Sequence, residues 1–442
     1  MRQLMQDLQA PVADTPHWQL GRLLAAPHRL AFGAAAAMLG LSALWWCLAL
    51  VAQSQGRPLA WTVAPVVAHG LLMSFGFMPL FFAGFLFTAG PKWLEQPAVD
   101  ARRLLAPVLA QLGGWGVFLL GVHGPEPAFG AALCGFGLAA VALGWGQVLW
   151  RFIHLLMRSR AEDQLHARLI AAGGLLGALA LWAAVFGLAT ARASLVQAAT
   201  QISLWGFAGT VFAAVSHRMI PFFSSAALPA LDAWRPRWLL WCWTGLFALE
   251  AAVLLAEQLW GPLSPALRWL QALLELVVGI GVLALALRWG LVQDLKLRLK
   301  LRLLAMLHLG FVWLGIALLL QAASHGLMAL SEGRLSLGLA PLHAYTMGFL
   351  GSTLLAMVTR VSCGHGGRTT TADDFIWRLF WLLQLAVLLR VLGGVLQATG
   401  LGLIPVPPLL AWTALIWAAV CIAWALRYGH WYGLPRVDGR PG

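Results

Sequence analysis

Residues 61–93 form a continuous apolar stretch that ends in a tryptophan at each side, WTVAPVVAHGLLMSFGFMPLFFAGFLFTAGPKW. About 20 apolar residues in a helix are enough to cross a bilayer, and tryptophan favours the membrane interface. The stretch is therefore predicted to span a membrane. The whole chain has the same character, because 61% of its 442 residues are hydrophobic and only 10% are charged. Soluble domains carry about 25% charged residues.

Twelve apolar spans of this kind follow one another with short connections, at residues 29–51, 61–88, 104–122, 128–149, 169–190, 195–217, 238–260, 265–288, 301–323, 336–359, 375–398 and 406–427. The predicted fold class is an all-α, polytopic integral membrane helix bundle. We expect a cytoplasmic N-terminal segment (1–28), one twelve-helix membrane domain (29–427) and a cytoplasmic C-terminal tail (428–442). The N-terminal residues lack the charged-then-apolar order of a signal peptide.

Lysine and arginine residues predict the orientation of these spans. Of the 29 in the chain, 24 fall on the side of both termini, whereas Arg57, Arg192, Arg268 and Arg334 fall on the opposite side and Arg390 lies within a span. Positive charge is retained on the cytoplasmic side of a membrane, so both termini are predicted to be cytoplasmic. The net charge of +13 is therefore a topology signal. We expect a lipid bilayer as the surroundings and no nucleic-acid partner.

The pattern His-x3-Met-x-Phe occurs twice, beginning at His69 in the second span and at His343 in the tenth. Both spans run inward from the outer face, and both imidazoles are predicted to lie roughly 10–12 Å below it at 1.5 Å per residue. Two imidazoles at equal depth suit bis-histidine ligation of a haem. Met73 and Met347, one turn deeper, offer thioether sulfur as an alternative haem ligand or for copper. Alternatively, each histidine bonds a neighbouring carbonyl and each methionine fills a gap.

A weaker internal repeat relates the sixth span to the tenth. Gly206-Phe207-x-Gly209-Thr210 returns as Gly348-Phe349-x-Gly351-Ser352, at a constant offset of 142 residues. With the second span as a more distant copy, this pattern is compatible with three four-helix pseudo-repeats. Small residues are common in membrane helices, so coincidence remains the alternative.

A second group of histidines is predicted near the cytoplasmic side: His28, His154, His217, His308 and His365. Together they could ligate a metal or a second haem, whose carboxylates would pair with Arg29, Arg218, Arg360 and Arg368. The alternative is that they are interfacial polar residues with solvated partners. The five cysteines contain no C-x-x-C pair, so we infer neither a disulfide framework nor a thiolate metal site.

Three charged residues fall within spans, namely Glu250, Glu275 and Arg390. Ionisable groups inside a membrane are candidates for proton relays or for ion-paired struts, and the sequence leaves both open. His123 and His325 lie at the outer ends of their spans and are interpreted as interfacial. No hydrolase triad, phosphate-binding loop or dinucleotide fingerprint is evident in the sequence.

Several longer motifs resemble the NnrS family of bacterial haem- and copper-containing membrane proteins. The matching segments are Ala26-Pro27-His28-Arg29, Phe75-Gly76-Phe77, Arg218-x-Ile220-Pro221-Phe222-Phe223, His343-Ala344, and Gly364-His365-x-Gly367-Arg368. The resemblance implies residence in the bacterial inner membrane, haem and copper as cofactors, and a redox role in nitric oxide tolerance linked to denitrification. One departure is clear, because family members often carry His-Ala-His-Glu-Met where this chain has His69-Gly70-Leu71-Leu72-Met73.

A looser similarity concerns haem–copper oxidases and nitric oxide reductases. Those proteins have twelve-helix cores in threefold pseudo-repeat, with low-spin haem ligands on helices 2 and 10, where His69 and His343 lie. The vicinal histidine pair that their copper needs is missing near spans 7 and 8. Whether the protein is an enzyme stays open at this point, and so does its electron donor. The competing interpretations are a secondary transporter and an assembly partner of a respiratory complex.

Overall fold

The computed structural model describes residues 17–297, 299–401 and 404–440. Twelve helices within these ranges are long and apolar enough to cross a membrane. They are α1 (Pro27–Ser54), α2 (Pro65–Trp93), α3 (Ala101–Val122), α4 (Pro127–Arg158), α5 (Leu165–Ala189), α6 (Ala193–Ala227), α7 (Arg237–Trp260), α8 (Pro265–Lys296), α9 (Arg302–Leu330), α10 (Ala340–His365), α11 (Asp374–Thr399) and α12 (Val406–Tyr432). All regular secondary structure in the described ranges is helical, and the predicted all-α polytopic bundle is confirmed.

The helices extend beyond the predicted apolar spans mainly at their basic ends. The fourth span was expected at 128–149, whereas α4 continues to Arg158. The eighth was expected at 265–288, and α8 continues to Lys296. Hydropathy marks only the part of a helix that crosses hydrocarbon, while long basic side chains let the helix continue into the interface. Of the predicted terminal segments, residues 1–16 and 441–442 lie outside the described residues.

The first and last helices bring both ends of the bundle to one side, called here the terminal face. Gln19 donates its backbone N–H to the carbonyl of Gly433 at 2.9 Å. Next to this contact, the Arg29 guanidinium donates to the carbonyls of Tyr432, at 3.0 Å, and Leu434, at 2.6 Å. The side of the bundle away from the termini is called the opposite face.

The surface of the bundle is much more apolar than that of a soluble protein, and some charged side chains are buried. Large apolar side chains such as Leu120, Phe136 and Trp260 are 71%, 69% and 81% exposed, whereas Glu275 and Asp294 are completely buried. An apolar exterior of this extent has a favourable environment only in lipid. The chain is therefore a multi-pass membrane protein.

Three helices, α2, α6 and α10, are irregular at equivalent positions. α2 is interrupted at Gly76 and Phe77 and resumes at Met78. α6 contains a π-helical segment, Leu204–Gly209, and α10 contains another, Ala344–Gly351. Regular α-helix resumes at Thr210 and at Ser352, with the offset of 142 residues that the sequence repeat shows. The sequence repeat is therefore matched by a repeated irregularity of the backbone. π-Helical segments are rare and concentrate at functional sites.

The two π-helical segments contact one another directly. Trp205 of α6 stacks on Tyr345 of α10, with ring centroids 4.1 Å apart. Gly209 allows this close approach, because a Cβ atom there would lie 2.5 Å from the Tyr345 hydroxyl oxygen. On another side of α10, a Cβ atom at Gly348 would lie 2.7 Å from the ring of Trp313 in α9. The packing fixes the rotation of α10 about its axis and therefore the direction of the residues just before its π-helical segment.

Candidate cofactor site

His69 lies one turn into α2, close to the opposite face. Its ring stacks on Trp46 of α1, with centroids 4.0 Å apart and planes inclined by 21°. Within the described part of the chain, the buried Nδ1 atom of His69 has no hydrogen-bond partner. An unpaired buried polar atom costs about 1–3 kcal/mol. The ring is thus held in place by stacking while its hydrogen-bonding capacity is left unused by the protein.

His343 lies in the first turn of α10, immediately before the π-helical segment. Its Nδ1 atom is 2.8 Å from the backbone oxygen of Leu339. A carbonyl oxygen only accepts, so Nδ1 must carry the hydrogen, and the Nε2 atom of the neutral ring then bears a free lone pair. Histidines that bind metals commonly donate their other N–H to a backbone carbonyl in this way. The contact prepares His343 to act as a ligand through Nε2.

Both imidazoles line one cavity of about 330 Å³, within the range of roughly 300–1,000 Å³ that is usual for small-molecule sites. The cavity is enclosed by residues of α1, α2, α6, α10, α11 and α12 and is mostly apolar. Met73 and Met347 also line it. The two copies of the His-x3-Met pattern therefore meet in one place, while the role of these four side chains as ligands stays a prediction.

Arg390 of α11 brings a positive charge to the same cavity. Its Nη1 atom is buried and has no partner among the described residues. From the sequence, Arg390 could be recognised only as a charged residue within a span, because the neighbouring residues in the chain do not show which helices surround it. A buried guanidinium with free donors favours a carboxylate or another anion beside the two imidazoles.

Gln201 of α6 is a further cavity residue that sequence reasoning missed. It lies 142 residues before His343, which is the offset of the internal repeat. His69, Gln201 and His343 are therefore the corresponding residues of the three irregular helices. The repeat offset contained this signal, but only the structure shows that position 201 reaches the cavity.

A family model described as NnrS protein matches residues 22–436 of the chain. The chain belongs to the NnrS family. No curated protein matches the chain in a sequence search.

The departure from the usual NnrS motif in α2 can now be located. Leu71 and Leu72, which replace the second His and the Glu of the motif, are both 0% exposed. They point into the packed core, and among the described residues neither lines the cavity. The replacement therefore leaves the cavity side of α2 with its histidine and methionine intact.

The histidines predicted near the terminal face do not form one cluster. The rings of His28 and His365 lie together, with centroids 4.4 Å apart, and the buried Nδ1 of His28 has no partner in the described ranges. His217 pairs instead with His166, Nδ1 to Nε2 at 3.0 Å, and its Nε2 donates to the carbonyl of Pro236 at 3.1 Å. Sequence reasoning missed His166 altogether.

His308 lies in a third, separate location. Its Nδ1 is 2.5 Å from Oδ2 of Asp294 and its Nε2 is 3.0 Å from Oγ of Ser224, and all three side chains are buried. Gly290, with φ at 120°, makes the kink in α8 that leads to Asp294. The predicted partner His154 is exposed on α4.

The structure thus divides the predicted terminal-face centre into two histidine pairs, one buried triad and an exposed side chain. Within the described residues, no group of three or more histidine, cysteine, aspartate or glutamate side chains is arranged to hold a metal ion. The described residues thus do not bring the five histidines together around one point, and their role as ligands stays a prediction. Their positions in the sequence predict a similar depth in the membrane for all five histidines, but they do not predict which of the side chains contact one another.

The four arginines predicted to bind cofactor carboxylates each have a partner within the protein. Arg29 donates to the two carbonyls described above. Arg218 lies 4.6 Å from the Trp93 ring, Arg360 lies 3.8 Å from the Phe223 ring, and Arg368 lies 4.0 Å from the Trp431 ring. Cation–π contacts of this kind stabilise helix ends at the interface. None of the four is among the described residues that line the cavity.

Proposed function

We propose that this protein binds haem in the cavity between α2 and α10, with His69 and His343 as ligands. The observation that carries the proposal is that both imidazoles line one cavity while His343 is fixed by Leu339 with its Nε2 lone pair free. The unpartnered Nδ1 of His69 is consistent with a ring retained for binding rather than for stability.

The donor set fits a haem better than a bare metal ion. A structural metal site would require more ligands than two histidines. Among the described residues, no group of three or more histidine, cysteine, aspartate or glutamate side chains is placed to hold a metal ion. A haem supplies its own equatorial ligands and an apolar surface that matches the apolar lining of the cavity. The haem carboxylates would pair with Arg390, whose Nη1 atom has no hydrogen-bond partner among the described residues.

Each cavity residue then has a defined task. Trp46 holds the plane of His69, and Leu339 fixes the tautomer of His343. Arg390 would neutralise the negative charge of a carboxylate. When bound, the haem supplies electron transfer or the binding of a diatomic gas, with a reduction potential set by its axial ligands and burial.

Copper is the second metal that the cavity suits. Met73 and Met347 place two soft thioether sulfurs in the same cavity as the histidines, and thioethers select copper(I). In this arrangement the two methionines would hold copper, or one of them would serve as a haem ligand in place of a histidine.

The biological role that we propose is nitric oxide tolerance linked to denitrification. Membership of the NnrS family supports it, and the cavity is apolar enough to admit a small uncharged gas from the lipid. The reaction class would be a haem-dependent oxidation or reduction with an external electron donor.

We further propose that the protein lies in the bacterial inner membrane with both termini in the cytoplasm. The 24 lysine and arginine residues that the sequence assigns to the side of the termini support this orientation. A fluorescent protein that folds only in the cytoplasm, fused after Gly442, should be bright, and a periplasmic reporter at the same position should be inactive. The reverse pattern would overturn the orientation.

The visible absorption spectrum of the purified protein tests the haem proposal. Wild-type protein produced with a haem supply should show a Soret band, and His69→Ala and His343→Ala should each lose most of it. His154→Ala, at the exposed histidine of α4, is the matched control and should keep it. A colourless wild-type protein, or an unchanged band in both variants, would refute the assignment.

A secondary transporter is the second candidate, because α7, α8 and α9 contain a buried charged cluster away from the cavity. Irregular helices around a polar site are also found in transporters. Colourless, metal-free protein that moves a solute across vesicles would favour this alternative.

A further inference from the structure

A buried cluster of ionisable side chains lies between three helices that do not contribute to the haem cavity. Glu250 of α7, Glu275 of α8 and His325 of α9 are 2%, 0% and 8% exposed. The Nδ1 atom of His325 lies 2.8 Å and 3.0 Å from the two carboxyl oxygens of Glu275. His325 is thus not the interfacial residue that its position near the end of a span indicated.

Glu250 and Glu275 also lie close to each other. The Oε2 atom of Glu250 accepts from the amide of Gln271 at 2.9 Å, and the charges of the two carboxyl groups act on each other. Two like charges at short range in a low-dielectric interior disfavour ionisation of both groups. The pair is therefore favoured when one of the two carboxyl groups holds a proton.

The nearest fixed charges largely cancel. Arg268 is ion-paired with Glu257 and donates to Oε1 of Gln271 at 2.9 Å. Arg268 and Glu257 are the other ionisable groups in the described residues whose charges act on the cluster. Full ionisation of both cluster glutamates would leave two buried negative charges against one imidazole, an arrangement that a low-dielectric interior disfavours. The cluster is therefore suited to bind protons.

Two features distinguish the cluster from a rigid strut. The Oε1 atom of Glu250 is buried and has no hydrogen-bond partner among the described residues, which leaves a lone pair open to a proton. The side-chain amide of Gln321 lies 3.3 Å from Nε2 of His325, and an amide presents either an oxygen or a nitrogen. Gln321 can thus follow a change of protonation at His325.

We propose that Glu250, Glu275 and His325 form a proton-binding site that exchanges one proton with water at the opposite face. Glu257 connects this site to the water at the opposite face, because its side chain is 25% exposed and is ion-paired with Arg268. Uptake transfers a proton from water to Oε1 of Glu250 and forms an O–H bond there. Release returns the proton, and no electron moves.

Infrared difference spectroscopy on the reconstituted protein tests this site. Between about pH 5 and pH 9, which spans the range where such groups titrate, the wild type should show a carboxylic-acid C=O band that changes in amplitude and shifts in D₂O. Glu250→Gln should lose this band, since an amide cannot take up the proton, and Glu275→Gln should change the pH at which the band appears, since the neighbouring charge is removed. Glu95→Gln, at an exposed carboxylate, should keep the wild-type band.

A second measurement covers the case in which either variant fails to fold. The same band in wild-type protein labelled with carbon-13 glutamate should move to lower frequency. The assignment of the proton site would be overturned by a band that does not shift with the carbon-13 label, or by the absence of any pH-dependent carboxyl band. The haem proposal is independent of this result, because no described residue of α7, α8 or α9 lines the haem cavity.

Discussion

The hydroxyl group of Tyr345 donates a hydrogen bond to the backbone carbonyl of Leu204 at 2.9 Å. The acceptor lies in the π-helical segment of α6 and the donor in that of α10. A π-helical turn displaces carbonyls from their regular partners, so a side chain from the neighbouring helix completes the bonding. The contact joins the two repeats beside the cavity.

Tyr345→Phe should lower the free energy of unfolding by about 1–3 kcal/mol, because the buried Leu204 carbonyl loses its partner while the ring stays in place. Thermal unfolding in detergent measures the change. Thr190→Val removes an exposed hydroxyl that bonds the Phe186 carbonyl at 2.8 Å and should change stability by less than about 0.5 kcal/mol. Equal stability of Tyr345→Phe and wild type would show that the contact does not support the π-helical segments.

Arg390→Gln should weaken haem binding by about ten- to a hundredfold, as expected for the loss of a charge-assisted hydrogen bond of about 1.5–3 kcal/mol. Arg390→Lys should retain part of the affinity, because it keeps the charge but not the planar fork. The haem-to-protein ratio during competition with a haem-binding acceptor measures the effect. Arg334→Gln, at an exposed position on the opposite face, is the control, and identical ratios for it and Arg390→Gln would exclude a role for Arg390.

Asp294→Asn and His308→Ala should each destabilise the protein by about 3–5 kcal/mol, since breaking a buried pair leaves an uncompensated partner. Ser224→Ala should cost less, about 1–2 kcal/mol, because only a neutral donor is lost. Apparent melting temperatures in detergent rank the three variants. The exposed Asp232, 74% accessible at its side chain, gives the control Asp232→Asn. A small effect for both Asp294→Asn and His308→Ala would show that the triad does not stabilise the fold.

The C-terminal turn should remain docked down to mildly acidic pH. Asp438 accepts two hydrogen bonds from Arg436, at 2.8 Å and 2.6 Å, and this pairing lowers the pKa of Asp438 from 3.8 to about 2. Because the pKa of Asp438 is lower in the docked state, the ion pair stabilises docking fully above the ordinary pKa of 3.8. This stabilisation is lost as the pH falls from 3.8 towards 2. The adjacent Val437 N–H, bonded to the Gly366 carbonyl at 3.0 Å, reports docking.

Hydrogen exchange of the C-terminal peptide, compared at each pH with Asp438→Asn, measures this effect. Wild type should be the more protected from about pH 8 to pH 5, and the difference should shrink below pH 3.8 and vanish near pH 2, where the docked carboxylate becomes protonated. A difference that disappears near pH 6 would assign the protection to a histidine instead.

The sequence by itself determined the number of spans, their order and the two histidine patterns, because apolar content over about 20 residues is a local property. The constant repeat offset also marked the two segments that the structure shows as the irregular turns of α6 and α10. The positions of His69 and His343 near the same face follow from span boundaries alone.

The tertiary structure decided which polar groups meet. In a membrane bundle the lipid-facing and protein-facing sides of a helix are both apolar, so periodicity does not reveal how each helix is rotated. For that reason the sequence could not bring Arg390 to His343, join His325 to Glu275, or separate His308 from His365. Packing between helices, such as that of Trp205 on Tyr345, sets those rotations.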